Sequence, residues 1–323
     1  MSLEIVSTQK YRNTGIPKKV FEEGIWLYLI YAPVGYDAIT AANRADATTL
    51  KAFIEGKLHA DNPLQRWHKV GRIVGVDDKS ETASEYTFPN GEKIIIDRSH
   101  PAFDIQFHEG GHYAHTARQS FNFQQENYRI YIVDVNNVLI GTENEDDSTE
   151  MAGLEPNCIY EHDYKAATAK EPAMFKSFIS LNAEELNENK FVHSLGFKFS
   201  KLKGVRDVIL EDVSTEYTLT AGQHAVRLWD GGKTLNLAEE IGAACATATN
   251  FIFVRKSNSN TVTKTAALSS DGKAVILSAS LADTDYADGQ DMSISLAAVS
   301  VLSGNGLKYF EGRNTLTVVA DNP

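Results

Sequence analysis

Long apolar runs and an excess of basic residues are missing from this sequence, and cysteines are scarce. The longest apolar stretch is Ile25–Ala32 (IWLYLIYA), far short of the roughly 20 residues a membrane-spanning helix needs. No membrane insertion is therefore expected. Only two cysteines occur among the 323 residues, Cys158 and Cys245. A disulfide framework is not expected from them, and two cysteines alone build no metal site. The opening MSLEIVSTQK has neither the basic start nor the apolar core of a signal peptide. The expectation is a product that stays, at first, in the cytoplasm where it is made.

Basic residues number 31 against 43 acidic ones, a net charge of −12. The imbalance is shared: residues 216–323 hold 8 basic and 11 acidic side chains, and residues 1–215 hold 23 and 32. Tight nucleic-acid binding needs clustered Lys and Arg that displace phosphate counterions, and no such cluster occurs. An acidic protein can still enclose DNA if its task is to avoid gripping it. The sequence also lacks G-x-x-x-x-G-K-[ST], a dinucleotide fingerprint and G-x-S-x-G.

What is present is ordinary globular material, 42% hydrophobic and 23% charged. The best-specified stretch runs from Phe121 to Thr142, FNFQQENYRIYIVDVNNVLIGT. Tyr128, Ile130 and Ile132 alternate with Arg129, Tyr131 and Val133, as in a strand. Asn136-Asn137 supplies residues that tolerate the left-handed backbone of a two-residue hairpin turn. Val138, Leu139 and Ile140 return. Both faces are largely apolar, which predicts a strand pair in the middle of a sheet covered on each side.

Elsewhere in the first half, Ile25–Ala32 reads as a buried strand closed by Pro33. Ala45–Glu55 reads as a helix, with Ala47, Leu50 and Ile54 on one face, Asn43 or Asp46 as cap and Gly56 as stop. Arg72–Val76 is a short strand. Residues 77–100, with Tyr86-Thr87-Phe88, the turn Pro89-Asn90-Gly91 and the isoleucines of Lys93–Asp97, read as a long hairpin arm. Asn182–Asn189 reads as a short helix with Asn182 and Glu185 as a reciprocal capping pair. Phe191–Phe199 and Asp207–Val213 complete the half as strands.

From Ser214 the composition shifts towards Ser, Thr, Ala and Gly. Short β-runs recur at Ala225–Leu228, Phe251–Arg255, Thr261–Thr265, Ala274–Leu277, Met292–Leu296 and Leu316–Val319, with one helix at Leu237–Ala246 capped by Asn236. Turn signals such as Gly231-Gly232 and Asp271-Gly272 separate them. This is the pattern of an immunoglobulin-like sandwich without the Cys–Trp–Cys signature of antibody domains. The expected fold is mainly β with a few short helices: a β-sandwich or barrel over residues 1–215, then an immunoglobulin-like β-sandwich over 216–323.

Residues 108–112, His-Glu-Gly-Gly-His, match the H-E-x-x-H zinc-protease pattern, which would pair His108 and His112 on one helix face with Glu109 as general base. His115 adds a donor one turn on. The competing reading is a strand ending near His108, a glycine turn at 110–111, and a short helix from His112 to about Ser120. Two features favour the second: two central glycines weaken a helix, and Ile105 and Phe107 alternate with Asp104 and Gln106. Two acidic runs, Glu143, Glu145, Asp146, Asp147 and Glu150, then Asp283, Asp285, Asp288 and Asp291, invite calcium. The second lacks the EF-hand order, and both read as solvated loops. No residue is assigned a catalytic, cofactor-binding or metal-binding role, and an enzyme is not expected. The zinc metallopeptidase remains the enzymatic alternative.

The order of features is informative: buried strand, polar hairpin with YTFPNGEKIIID, short helix, YRIYIVD, the NN turn, VLIGT, and a Ser/Thr-rich module at the end. In this the chain resembles the major tail tube proteins of tailed bacteriophages, and among them those of phages infecting Bacteroidetes-type hosts. The resemblance covers roughly residues 20–215 and rests on element order, since that family has no short invariant signature. It implies a virion subunit, assembled in the host cytoplasm, whose copies close into rings that stack into a tube. Residues 77–100 would reach the next ring. Partners would be further copies and other tail proteins, with DNA passing through an acidic lumen without specific binding. Residues 216–323 would decorate the outside, for weak surface or glycan adhesion. Another virion component, at the neck, a ring or the capsid surface, is the alternative.

Overall fold

The alternation of apolar residues over Tyr128–Val133 is resolved into two separate cores in the computed structural model of the protein. The model describes residues 4–6, 24–80, 84–90, 92–97, 100–107, 111–162, 174–187 and 189–321. The chain is mainly β with a few short helices and divides into two compact units, Met1–Leu58 with Asn62–Lys203, and His59–Asp61 with Gly204–Pro323.

In the first unit the strands are β1 (Glu4–Val6), β2 (Trp26–Pro33), β3 (His68–Val70), β4 (Ile73–Asp78), β5 (Ser84–Thr87), β6 (Lys93–Asp97), β7 (Ala102–Phe107), β8 (Tyr128–Asp134), β9 (Val138–Glu143), β10 (Met151–Ala152), β11 (Pro156–Glu161), β12 (Phe175–Leu181) and β13 (Lys190–Ser194). Its helices are α1 (Ala47–Leu58), α2 (Gly111–Gln119) and α3 (Ala183–Asn187). The larger sheet runs β1-β13-β9-β8-β2-β3, with β10 also on β9, and a second sheet runs β11-β12-β7-β4. Among the described residues, strands β5 and β6 pair only with each other.

The larger sheet is covered on both faces. Leu29, Tyr31, Ile130, Ile132, Val138 and Ile140 pack against Ile105, Phe107, Ile159, Phe175, Ile179 and Leu181 of the second sheet. The intervening residues Ile30, Ala32, Tyr131, Val133 and Leu139 pack on the opposite side with Leu50, Ile54 and Leu58 of α1 and with Trp67. Helix α1 begins where Asp46 accepts the backbone N–H groups of Thr48 and Thr49, at 2.8 and 2.9 Å. Gly56 does not stop it. Leu58 continues the i, i+4 stripe of Leu50 and Ile54 by one more turn, and its burial outweighs the weak helix preference of one glycine.

The central hairpin has a three-residue loop, Val135–Asn137, rather than two. Only Asn137 is left-handed (φ 58), so the loop is a β-turn closed by a left-handed residue. Asp134 organises it. One carboxylate oxygen accepts from the N–H groups of Asn136 and Val138, each at 2.8 Å, and the other accepts from Gly24 at 2.9 Å. The residue is fully buried, and these three donors replace the water it has lost. Asn137 in turn accepts from Phe199 N through its side chain, at 3.0 Å.

The second unit contains β14 (Arg206–Asp212), β15 (Gln223–Asp230), β16 (Phe251–Arg255), β17 (Lys264–Leu268), β18 (Val275–Ala279), β19 (Asp291–Leu296), β20 (Phe310–Gly312) and β21 (Leu316–Val319), with α4 (Leu237–Ile241) and α5 (Val299–Gly304). One sheet runs β17-β18-β15-β14-β20 and the other β16-β19-β21. Taken as A to G, β14 through β19 and β21 form the ABED and CFG sheets of an immunoglobulin-like sandwich. Val208, Leu210, Val226, Leu228 and Leu277 meet Phe251, Phe253, Ile294 and Val318 between the sheets. Asn236 caps α4 through Ala238 N at 3.0 Å.

The units divide between Lys203 and Gly204, not near residue 215, because Val208–Asp212 of β14 pairs with β15 and supplies the first strand of the sandwich. A composition shift marks where loops become Ser/Thr-rich; it does not mark which sheet a preceding strand joins.

Two glycines separate close approach from helix propensity. A Cβ at Gly141 would run into the carbonyl oxygen of Ala152 in the neighbouring β10, whereas one at Gly56 in α1 would meet nothing within 4 Å. Gly141→Ala is expected to destabilise the first unit by about 1–3 kcal/mol, and Gly56→Ala to stabilise it by about 0.5–1 kcal/mol. Urea unfolding of the full chain measures both.

Candidate functional site

Strand β7 ends at Phe107 and α2 starts at Gly111, so a strand and a short helix flank residues 108–110, which lie outside the described residues. His108 and Glu109 lie outside the described residues, as does the side chain of His112. His115 is described and fully buried. It faces inward from α2 and opens onto a polar centre that local spacing does not reveal.

That centre is built on Glu161, at the end of β11. Glu161 Oε1 lies 3.0 Å from His115 Nδ1 and accepts Arg118 Nε at 2.9 Å. Its other oxygen accepts the Ser177 hydroxyl from β12, and its own N–H donates to Asn122 Oδ1 at 2.7 Å. The helical spacing of His115 and Arg118 puts both on the face of α2 turned to the sheet. The Arg118 guanidinium lies over the rings of Phe107 and Phe175, at 4.5 and 5.4 Å. Its Nη2 is buried and unpartnered among the described residues. Burial, reinforced by the Glu161 charge, pushes the neighbouring Tyr31 hydroxyl well above its ordinary pKa.

Serine, histidine and a carboxylate invite comparison with a nucleophilic triad, but the order differs. A triad needs imidazole between hydroxyl and carboxylate so that it can take the hydroxyl proton. Here the carboxylate sits between the other two, and all three groups are buried. The arrangement fastens α2 and β12 to β11; it does not expose a nucleophile.

The acidic runs are spent on loop geometry. Asp147 accepts from Thr149 N at 2.8 Å, Asp283 from Thr263 N at 2.7 Å and from Asp285 N at 3.0 Å. Among the described residues no group of three or more His, Cys, Asp or Glu is arranged to hold a metal ion, and no helix is long and apolar enough to cross a membrane. Cys158 and Cys245 are free and lie in different units. Burial, with the Glu240 charge nearby, pushes the Cys245 thiol up to about 11. Phe251, Phe253 and Phe310 are core residues.

The surface of the first unit is more distinctive. Strand β4 ends the second sheet with an outer edge that pairs with no strand among the described residues, whereas on the outer edge of β11 Ile159 O accepts Phe123 N at 3.0 Å and Glu161 N donates to Asn122. Beside β4 runs an open groove of about 590 Å³, lined by Ile25, Trp26, Val74, Val76, Phe103 and Lys190 among others. Ile25 is 72% exposed and Val74 53%. Near the β11 edge, Phe123 stands exposed with φ 59, its ring 5.6 Å from Tyr160. On the β5–β6 hairpin, Tyr86 and Phe88 form an exposed edge-to-face pair at 5.1 Å. A second cavity, of about 320 Å³, is lined by Asp37, Arg129, Glu143, Glu145, Asp146 and Glu185.

No protein-family model matches this chain, and no curated protein or solved structure does either.

Two buried centres give measurable expectations. Glu161→Gln leaves Arg118 without its counter-charge and is expected to cost about 3–5 kcal/mol. Arg118→Met added to it should cost much less than the sum of the two single changes, read from urea unfolding. In the second unit, His224 Nε2 lies 2.9 Å from the Tyr286 hydroxyl inside the sandwich, and burial lowers its pKa. A depressed histidine favours the neutral form when folded. Its contribution is therefore present above the unfolded value of about 6.5 and lost as pH falls through the lower folded value. Core amides of β15 and β18 should exchange faster at pH 5 than at pH 7 after correction for intrinsic rates, and less so in His224→Gln.

Proposed function

We propose that this chain is a virion structural protein, a tail tube subunit whose copies close into stacked rings around a conduit for DNA. The observation that carries the reading is the β5–β6 hairpin, which among the described residues pairs with neither sheet and yet presents Tyr86 and Phe88 to solvent. An isolated two-stranded hairpin is marginal in water. Another copy of the chain offers it a surface to lie against. The open edge of β4 supports the same reading, since an unpaired edge is a hazard unless a neighbour completes it. An edge that meets a different surface of the next copy makes a head-to-tail contact, and a ring when the rotation closes. The net charge of −12 suits a lumen along which DNA slides without being gripped.

Electron microscopy of the purified chain tests the proposal. Rings or tubes are expected; a monomer at all concentrations overturns it. Replacing residues 84–97 by a short Gly-Ser turn should leave both units folded and stop rings from stacking. His108→Ala should assemble like the parent, and metal analysis should find no stoichiometric zinc.

A further inference from the structure

Helix α3 is only five residues long, Ala183–Asn187, and a helix of that length does not stand alone in water. Its first turn is capped as expected, with Asn182 Oδ1 accepting Glu184 N at 3.0 Å. Glu185 does not complete a reciprocal cap. Its carboxylate turns inward, 8% exposed for the residue, and accepts the backbone N–H of Glu155 in the segment leading into β11. Arg129 of β8 stands between the two glutamates: its Nη1 is 3.1 Å from Glu155 Oε1 and 3.9 Å from Glu185 Oε1. Asn182 Nδ2 donates to the other Glu155 oxygen at 3.3 Å.

One guanidinium nitrogen thus serves two carboxylates, with the Glu155 side chain 43% exposed and that of Glu185 11%. Water can stabilise charge on the first but not on the second. We infer that Arg129, Glu155 and Glu185 form a proton-operated latch: with Glu185 protonated α3 is seated on the sheet, and when the proton leaves, α3 and the acidic loop beside it loosen.

The surroundings fit this role. Burial, with the charges of Glu155 and Glu145 adding to it, lifts the Glu185 carboxyl to about 7, against the opposing pull of the Glu155 N–H and Arg129. Asp37, Glu143 and Asp146 line the same cavity as Glu185, with Arg129 as its one basic residue. Glu184, on α3 itself, is exposed. The helix also packs on β13, whose titratable residues are Lys190 and His193. A carboxyl raised in the folded state stabilises fully below its unfolded value, 4.5, and the contribution fades as pH rises through about 7. The latch stands whether or not the chain builds a tube.

The test uses the full chain labelled with carboxyl-¹³C glutamate, titrated by NMR from acid to alkaline pH. Glu185 is expected to titrate near 7. Amides of residues 183–187 and 144–150, corrected for intrinsic exchange, should lose about tenfold protection above that midpoint. Glu185→Gln should keep them protected throughout. Arg129→Met should move the Glu185 midpoint higher still. A Glu185 midpoint near that of an exposed glutamate overturns the latch, as does unchanged pH dependence in Glu185→Gln. If that variant fails to fold, the wild-type titration and the Arg129→Met shift decide the matter.

Discussion

Burial of the larger sheet on both faces is the constraint on which the first unit depends. A strand with one wet face can carry polar residues at every second position; Leu29–Ala32 and Ile130–Val133 cannot, because each face meets a different apolar partner. One face needs the second sheet and the other needs α1 and Trp67. Slipping the β2–β8 register by one residue would exchange the two sets, placing Tyr131 where Ile130 and Ile132 fit. The register is held at its end by Asp134, whose three backbone donors come from the turn and from Gly24.

Polar groups inside such a body must find partners within it. The Glu161 centre does so with residues from α2 and β12, and Glu185 does so with the segment before β11. In each case a carboxylate joins elements distant in sequence. The two differ in balance. Glu161 collects three side-chain donors, whereas Glu185 shares its arginine with a competitor. The first arrangement fixes structure, and the second leaves a proton with a decision to make.

Much of this architecture was legible in local pattern. Period-two alternation located β8 and β9, the Leu50–Ile54 spacing located α1, and Phe251–Arg255 and Leu316–Val319 coincide with β16 and β21. Turn chemistry foresaw a left-handed asparagine after β8, though the length of the loop was set by Asp134 folding back on it. The misses share a cause. Gly56 lies inside α1 because Leu58 is buried; β14 belongs to the second unit because β15 pairs with it; Glu185 leaves its own helix cap because Glu155 N is nearer to its need. Helix α5 and strand β20 were not foreseen, since each is short and held by tertiary contacts. Glu161, Arg118 and Ser177 carried no motif, for their meeting depends on strand pairing across tens of residues.

In the second unit the last segment of chain divides its allegiance: β20 runs parallel to β14, with Arg206 opposite Phe310 and Val208 opposite Gly312, and β21 then crosses to pair with β19. The first strand and the last but one are thus neighbours pointing the same way. Tension applied to the two ends of the unit would drag them past each other lengthwise, loading their ladder of bonds together instead of peeling it open one rung at a time. How that short ladder meets a pull is thus set by strand direction as well as by the number of its bonds.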